Sequence, residues 1–203
     1  MNTDNNEKRA KFDVSPVARI TGDEIFAWVE PLNMREIRAT VIPWMETQGY
    51  FRDNYINDDT EWDDIAITRN GVISGIQHYS GPEKIQSFAA LPEIIKNGIL
   101  IKTKPSDRET QWNITEHIFA AKLDIGDKSK LVGFVVKEAS NGRRYYDHEM
   151  SEIKNLDGLS PHAGAAGLNT GKAYQTRQGS VINIIQEMLK INTQKINSNP
   201  FYP

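Results

Sequence analysis

An α+β fold, in which a helix is followed by an antiparallel β-meander, is predicted by three features of this sequence. A helix-compatible segment runs from Pro82 to Lys96 and stops at Asn97-Gly98. Three or four strand-like runs follow between Gly98 and Ile153. Tight-turn signals at Gly126-Asp127-Lys128 and Asn141-Gly142 join them as hairpins.

Ahead of that core, residues 1–12 are polar and read as a flexible N-terminus. Val17 to Ile20 and Ile25 to Val29 are short apolar runs, two strands parted by a turn at Thr21-Gly22-Asp23. Asn33 is placed to cap a helix that starts at Met34, with Glu36 in its first turn. Met34, Ile37, Val41 and Trp44 recur at helical spacing, and Pro43 predicts a kink or an early stop. Asp53 to Asp64 is a polar loop, Ile65 to Ile67 a strand, and Arg69-Asn70-Gly71 a turn.

The helix from Pro82 carries Ile85, Phe88, Ala89, Ile94 and Ile95 toward one side, with Pro92 interrupting it. The strands after it are Gly98 to Lys102, Ile114 to Leu123, Leu131 to Val136 and Arg144 to Ile153. A loop from Asp157 to Gly171 and a helix from Val181 to Ile191 complete the chain before the tail at Asn197 to Pro203. The expected organisation is one core domain over residues 13–155, with 156–203 packed on or near it.

Composition narrows the function classes. The chain has 203 residues, 38% of them hydrophobic and 25% charged, which suits an ordinary globular domain. No apolar run approaches the roughly 20 residues of a membrane span, so no membrane is expected, and a cytoplasmic location is. The absence of cysteine excludes disulfides and thiolate metal sites; it is equally compatible with delivery into a target cell. Residues 1–81 carry 8 basic and 14 acidic side chains, whereas 82–149 carry 11 and 10. The net charge of −3 does not announce a strongly basic nucleic-acid binder.

Several chemistries are weakened by spacing. His78, His117, His148 and His162 form no HExxH or related zinc pattern, so no metal or cofactor is expected. Asp58, Asp59, Glu61, Asp63 and Asp64 lack the glycine and terminal glutamate of a calcium loop and read as a solvated acidic segment. Ala166 to Ala173 has alanine where a phosphate loop needs its first glycine and its hydroxyl.

The remaining candidates are histidines on strands and cations near them. His117 alternates with Thr115, Phe119 and Leu123 on one strand face; His148 alternates with Arg144, Tyr146 and Met150. A two-residue Asn141-Gly142 turn would set Lys137 opposite Tyr146 and Val135 opposite His148. A cation, a phenol and an imidazole would then share one patch of sheet; the bland alternative is a satisfied histidine beside aromatics. His78, Tyr79 and Ser80 precede a helix, where free N–H groups suit an anion or simply a cap. Lys102, Lys104 and Arg108, with Trp112 close behind, have the charge and stacking chemistry for single-stranded RNA, or form a solvated loop.

These segments also resemble a known family. Asp64 to Gly71, His78-Tyr79, Leu91 to Asn97, Glu116 to Ala120, Val135 to Glu138 and Tyr146 to Met150 resemble a domain of phage and mobile-element large polyvalent proteins, often associated with MuF-type modules. Several such C-terminal domains are similar to the barnase–EndoU–colicin–RelE superfamily of metal-independent ribonucleases, whose helix-then-meander order matches the core predicted here. The resemblance implies an endoribonuclease-like toxin or effector domain acting on RNA, with an inhibitory or immunity protein as partner. It further implies His117 and His148 as an acid–base pair, Tyr146 as a positioning group, and Lys137, Arg69 or Arg144 as the cation facing the phosphoryl oxygens. The alternative is a non-catalytic binding or accessory module of a polyvalent protein. An ADP-ribosyltransferase is disfavoured, because no convincing Arg, Ser-Thr-Ser and Glu succession is present.

Overall fold

The computed structural model describes residues 7–8, 12, 15–25, 33–60, 62, 64–77, 81–106 and 113–155, the last eight of these by backbone alone. The expected strand after Ile25 and the C-terminal loop and helix lie outside the described residues.

Helix α1, Met34–Thr47, begins where the sequence predicts. The Asn33 side chain accepts hydrogen bonds from the backbone N–H groups of Arg35 and Glu36, each at 3.0 Å. Glu36 returns one to the Asn33 N–H at 3.0 Å, which closes a capping box. Ile37, Val41 and Met45 form its buried stripe. Pro43 does not end the helix: both Pro43 and Ala39 are exposed, so the carbonyl left without its usual donor faces water.

The predicted turn at Arg69-Asn70-Gly71 is instead the first turn of helix α2, Arg69–Gln77. Thr68 caps it, with Oγ1 accepting from the Gly71 N–H and its carbonyl from the Val72 N–H, both at 3.1 Å. The glycine serves close packing: a Cβ at Gly71 would sit 2.4 Å from the Tyr146 carbonyl oxygen.

The helix expected over 82–96 is present in three pieces. Helix α3, Pro82–Gln86, passes into a 3₁₀ turn at Ser87–Ala90, and helix α4, Leu91–Asn97, restarts with Pro92 in its first turn. Gly98 ends it with extended backbone, φ −67°, not in the left-handed conformation. Its lack of a side chain makes room for the Phe134 ring, which a Cβ would approach to 2.6 Å.

Seven strands form one mixed sheet among the described residues: β1 Ala18–Ile20, β2 Asn54–Tyr55, β3 Ile65–Ile67, β4 Ile99–Pro105, β5 Ile114–Ile125, β6 Lys128–Ala139 and β7 Arg144–Asn155. The expected meander is β4-β5-β6-β7, each pair antiparallel. Strand β3 adds to β7 in parallel, and β2 pairs with β3. Strand β1 runs parallel to the far end of β5, sharing that edge with β4. A two-residue turn, Gly126-Asp127, joins β5 to β6, with Gly126 at φ 59°.

The β6–β7 hairpin differs from expectation by one residue. Ala139 pairs with Arg143 across a three-residue loop, Ser140-Asn141-Gly142, and Gly142 takes the left-handed position at φ 79°. Tyr146 therefore faces Val136, Lys137 faces Tyr145, and Asp147 faces Val135. Because side chains alternate along a strand, this single-residue shift puts Lys137 on the opposite side of the sheet from Tyr146. The predicted patch of Lys137, Tyr146 and imidazole is corrected accordingly. A second irregularity follows Asp147, where the pairing next resumes with Glu152 opposite Gly133. His148 falls inside it, so simple alternation from Tyr146 does not extend to His148 or Met150.

The core lies between the helices and one face of the sheet. Phe119 stacks on Phe134 with ring centroids 5.0 Å apart, and Phe134 meets Tyr146 at 6.0 Å. On the other face Ile118, Ala120, Leu131 and Val135 are also buried, so both faces are covered.

Gly71→Ala is expected to destabilise the fold by about 1–3 kcal/mol, the usual cost of overpacking, despite alanine's better helix propensity. Urea denaturation measures this; an unchanged or higher midpoint would contradict the close α2–β7 contact.

A candidate acid-base site around His117

One end of the meander gathers five side chains, four from its strands and one from the loop before β3. His117 on β5 lies directly across from Thr103 on β4 and Val136 on β6. Glu138, two residues beyond Val136 on the same strand face, reaches back diagonally to the imidazole, and Arg144 lies directly across from Glu138 on β7. Trp62 arrives from the loop before β3 and closes over the ring.

Local hydrogen bonding fixes that loop. Asn57 is completely buried; its side-chain amide donates to the carbonyls of Ile95 and Gly98, at the end of α4, and its Oδ1 accepts from the Asp59 N–H at 3.0 Å. Its backbone N–H donates to the Trp62 carbonyl at 3.1 Å, and the Asp58 N–H donates to Lys96 at 2.7 Å. Asp59 Oδ2 accepts from the Leu100 N–H at 3.3 Å. The acidic segment is thus pinned to the α4–β4 junction. It places Trp62 edge-on to His117, centroids 4.1 Å apart, with the Arg144 guanidinium 4.8 Å from the indole centroid.

The imidazole is 5% exposed and both its nitrogens have neighbours. Nδ1 lies 2.9 Å from Thr103 Oγ1. Nε2 lies 3.2 Å from Glu138 Oε2, off the axis of an aligned hydrogen bond, and the two attract as an ion pair only when the imidazole is protonated. The same carboxylate oxygen accepts from Arg144 Nε at 2.9 Å. Arg144 is the chief reason that the Glu138 carboxyl is held below its ordinary value. Burial lowers the His117 pKa; Glu138 pulls against that shift, and Arg144 adds to it.

At neutral pH Glu138 is therefore an anion and His117 a neutral imidazole. An anion beside Nε2 favours the proton there, and in that tautomer the Nδ1 lone pair accepts from the Thr103 hydroxyl. Thr103 is an exposed residue on β4, and its hydroxyl is the neighbour of Nδ1. The arrangement is a carboxylate-oriented base whose reactive nitrogen faces a hydroxyl-bearing partner.

The other predicted residues divide by position. Tyr146 shares the His117 face and row but is 1% exposed and packed in the core. Lys137 lies on the opposite face, ion-paired with Asp147. Lys104 is there too, 3.4 Å from Glu116, which also accepts from Ser106 Oγ at 2.8 Å. Lys102 is exposed on β4. Arg69 is paired with Glu46 of α1 and lies over Phe51. Among the described residues, Arg144 alone of the predicted cations meets the imidazole cluster. His78, Tyr79, Ser80 and Arg108 lie outside the described residues, as does the side chain of His148.

Sequence reasoning missed Thr103, Glu138 and Trp62. Glu138 and Thr103 become visible once the strand register is known; nothing in the local sequence marks Trp62.

The titration of His117 should follow these contacts. With its folded pKa below the ordinary 6.5, the unfolded chain takes up that proton first as pH falls. The stability His117 contributes is complete above 6.5 and declines below it, toward the folded pKa. Glu138, depressed from 4.5, contributes above that value and loses its contribution as pH falls through its own folded pKa. Both weaken the fold on acidification, in successive windows. In an NMR titration the His117 ring should show a midpoint below 6.5, moved further down by Glu138→Gln; an upward movement would contradict the assigned contact.

Among the described residues no helix is long and apolar enough to cross a membrane. No curated protein and no solved structure matches the chain. A family profile, described as large polyvalent protein-associated domain 3, matches residues 33–146, more than half of the sequence. That span begins at the Asn33 cap and ends at Tyr146, and it includes Trp62, Thr103, His117, Glu138 and Arg144. On this match the chain belongs to the large polyvalent protein-associated domain 3 family.

Proposed function

We propose that this domain is a metal-independent endoribonuclease of the toxin or effector type, with His117 as its base. The observation that carries the reading is the placing of the imidazole between an anionic Glu138 at Nε2 and the hydroxyl of Thr103, an exposed residue, at Nδ1, which favours the proton on Nε2 and the lone pair on Nδ1. A ribose 2′-OH that takes the place of that hydroxyl would give its proton to Nδ1. Its oxygen would attack the adjacent phosphorus, and the bond to the 5′ oxygen would break. General-base assistance of this kind typically contributes about 10²–10⁴-fold.

Glu138 orients the ring, and Arg144, held on Glu138, is the cation of this cluster that would meet developing phosphoryl charge. His148 is retained as the acid for the departing 5′ oxygen. Lys137 has no part in this version, because it lies on the other face, and Tyr146, packed against Phe134 in the core, does not touch substrate. RNA is the substrate, the cytosol of the producing or target cell is its place of action, and an immunity protein is the partner expected for such an effector.

A non-catalytic accessory module is the second reading, favoured by one observation. A histidine only 5% exposed, with neighbours at both nitrogens, also serves simply to tie β4, β5 and β6 together. Incubation of the protein with a short RNA oligonucleotide and total RNA in EDTA separates the two. The nuclease reading expects 2′,3′-cyclic phosphate ends, reduced at least about 100-fold in His117→Ala and in His148→Ala. Intact RNA with a cooperatively folded wild type would sink it and leave the accessory role.

A further inference from the structure

The site holds a nucleophile of its own. Thr103 Oγ1, His117 Nδ1, His117 Nε2 and Glu138 Oε2 follow one another, with a hydrogen-bond spacing of 2.9 Å at the first nitrogen and an off-axis approach of 3.2 Å at the second. A hydroxyl, a neutral imidazole and an ionised carboxylate in that order make up the arrangement by which a hydroxyl is activated for attack. Here it is built from side chains on three adjacent strands, which is a rigid platform. Two features set it apart from a cross-strand hydrogen bond of no consequence. Thr103 lies on an edge strand with its side chain accessible, and Glu138 is held ionised by Arg144, so the far end of the series stays an acceptor.

We infer that Thr103 is an activated nucleophile that takes a phosphoryl group from a phosphodiester. The substrate class thereby extends to diesters with no 2′-OH, such as those of DNA. In the step, Thr103 Oγ1 loses its proton to His117 Nδ1 and forms a bond to phosphorus. The bond from phosphorus to one ester oxygen breaks, and that oxygen takes the proton back from Nδ1–H and departs as an alcohol. The product is a diester of Thr103 and the remaining substrate; no oxidation or external co-reactant is involved. Arg144 lies beyond Glu138, at the other end of the series from Thr103, so the assignment of this site to phosphodiesters rests on the proposed reading alone.

The test uses a fluorophosphonate probe, which needs no RNA and loses fluoride in place of the alcohol. Intact mass and peptide mapping of the full chain should show one adduct on Thr103 in the wild type. Thr103→Val, which keeps the shape but removes the hydroxyl, should lose it; Thr103→Ser should restore it. His117→Gln should slow labelling by about 100-fold or more. Glu138→Gln, a change to a positioning residue, should move the pH profile of labelling to lower pH. A folded wild type with no adduct on Thr103 would overturn the inference, as would labelling at an unchanged rate in His117→Gln. Because the probe replaces the nucleic acid, such a failure leaves ribonuclease activity open, and a lack of RNA cleavage leaves the labelling result intact.

Discussion

Register across the β5–β6–β7 meander is the constraint on which the rest of the molecule depends. These three strands are each 12 residues long, and His117, Glu138 and Arg144 sit on them, with Thr103 and Trp62 against His117. The three-residue loop Ser140-Asn141-Gly142 sets the pairing of β6 with β7. A two-residue loop would have moved β7 by one position and reversed its faces relative to β6. Arg144 would then have left Glu138, Tyr146 would have left the Phe134 stack, and α2 would have lost the Tyr146 carbonyl against which Gly71 packs. One left-handed glycine, Gly142, thus fixes which side chains meet on both faces.

The two faces use charge differently. On the face opposite the helices, Glu116 with Lys104 and Ser106, and Lys137 with Asp147, are compensated pairs in buried surroundings. Removing one partner from such a pair costs about 3–5 kcal/mol, because the survivor is left as an uncompensated buried charge. That penalty makes these residues poor material for chemistry: a Lys137 committed to Asp147 cannot move toward a substrate without exposing its partner. On the helix face, one carboxylate, Glu138, serves two neighbours of unlike kind. Arg144 is permanently charged and takes the well-aligned hydrogen bond, which leaves the imidazole the weaker, off-axis contact.

Much of the architecture was legible because it rests on local chemistry. The Asn33 box needs only Asn33 and Glu36, and the meander follows from alternating strands separated by glycine turns. What escaped detection depends on long-range contact. Arg69-Asn70-Gly71 has the composition of a turn and becomes helical because Thr68 caps it and β7 passes beside the glycine. Asn141-Gly142 suits a two-residue hairpin as well as the longer loop, and local propensity does not separate them. The parallel addition of β3 to β7 joins residues about 80 positions apart, beyond any periodicity argument. For the site, His117 and Arg144 could be nominated by residue type, whereas Thr103, Glu138 and Trp62 required the register and the Asn57-anchored loop.

The sharing of Glu138 also bears on how a buried histidine can remain reactive. Burial alone lowers the affinity of the ring for a proton, and a lone desolvated imidazole would be a weak base. Glu138 restores part of that affinity, because the imidazolium formed on proton transfer would lie next to an anion. Arg144 takes some of it back by neutralising the same carboxylate. If Arg144 moved onto an incoming phosphate, Glu138 would be left to the imidazole alone, and the base would strengthen as the substrate arrived. Under the proposed reading, the cation that holds Glu138 would release it when an anion binds, which would couple substrate charge to the proton affinity of His117.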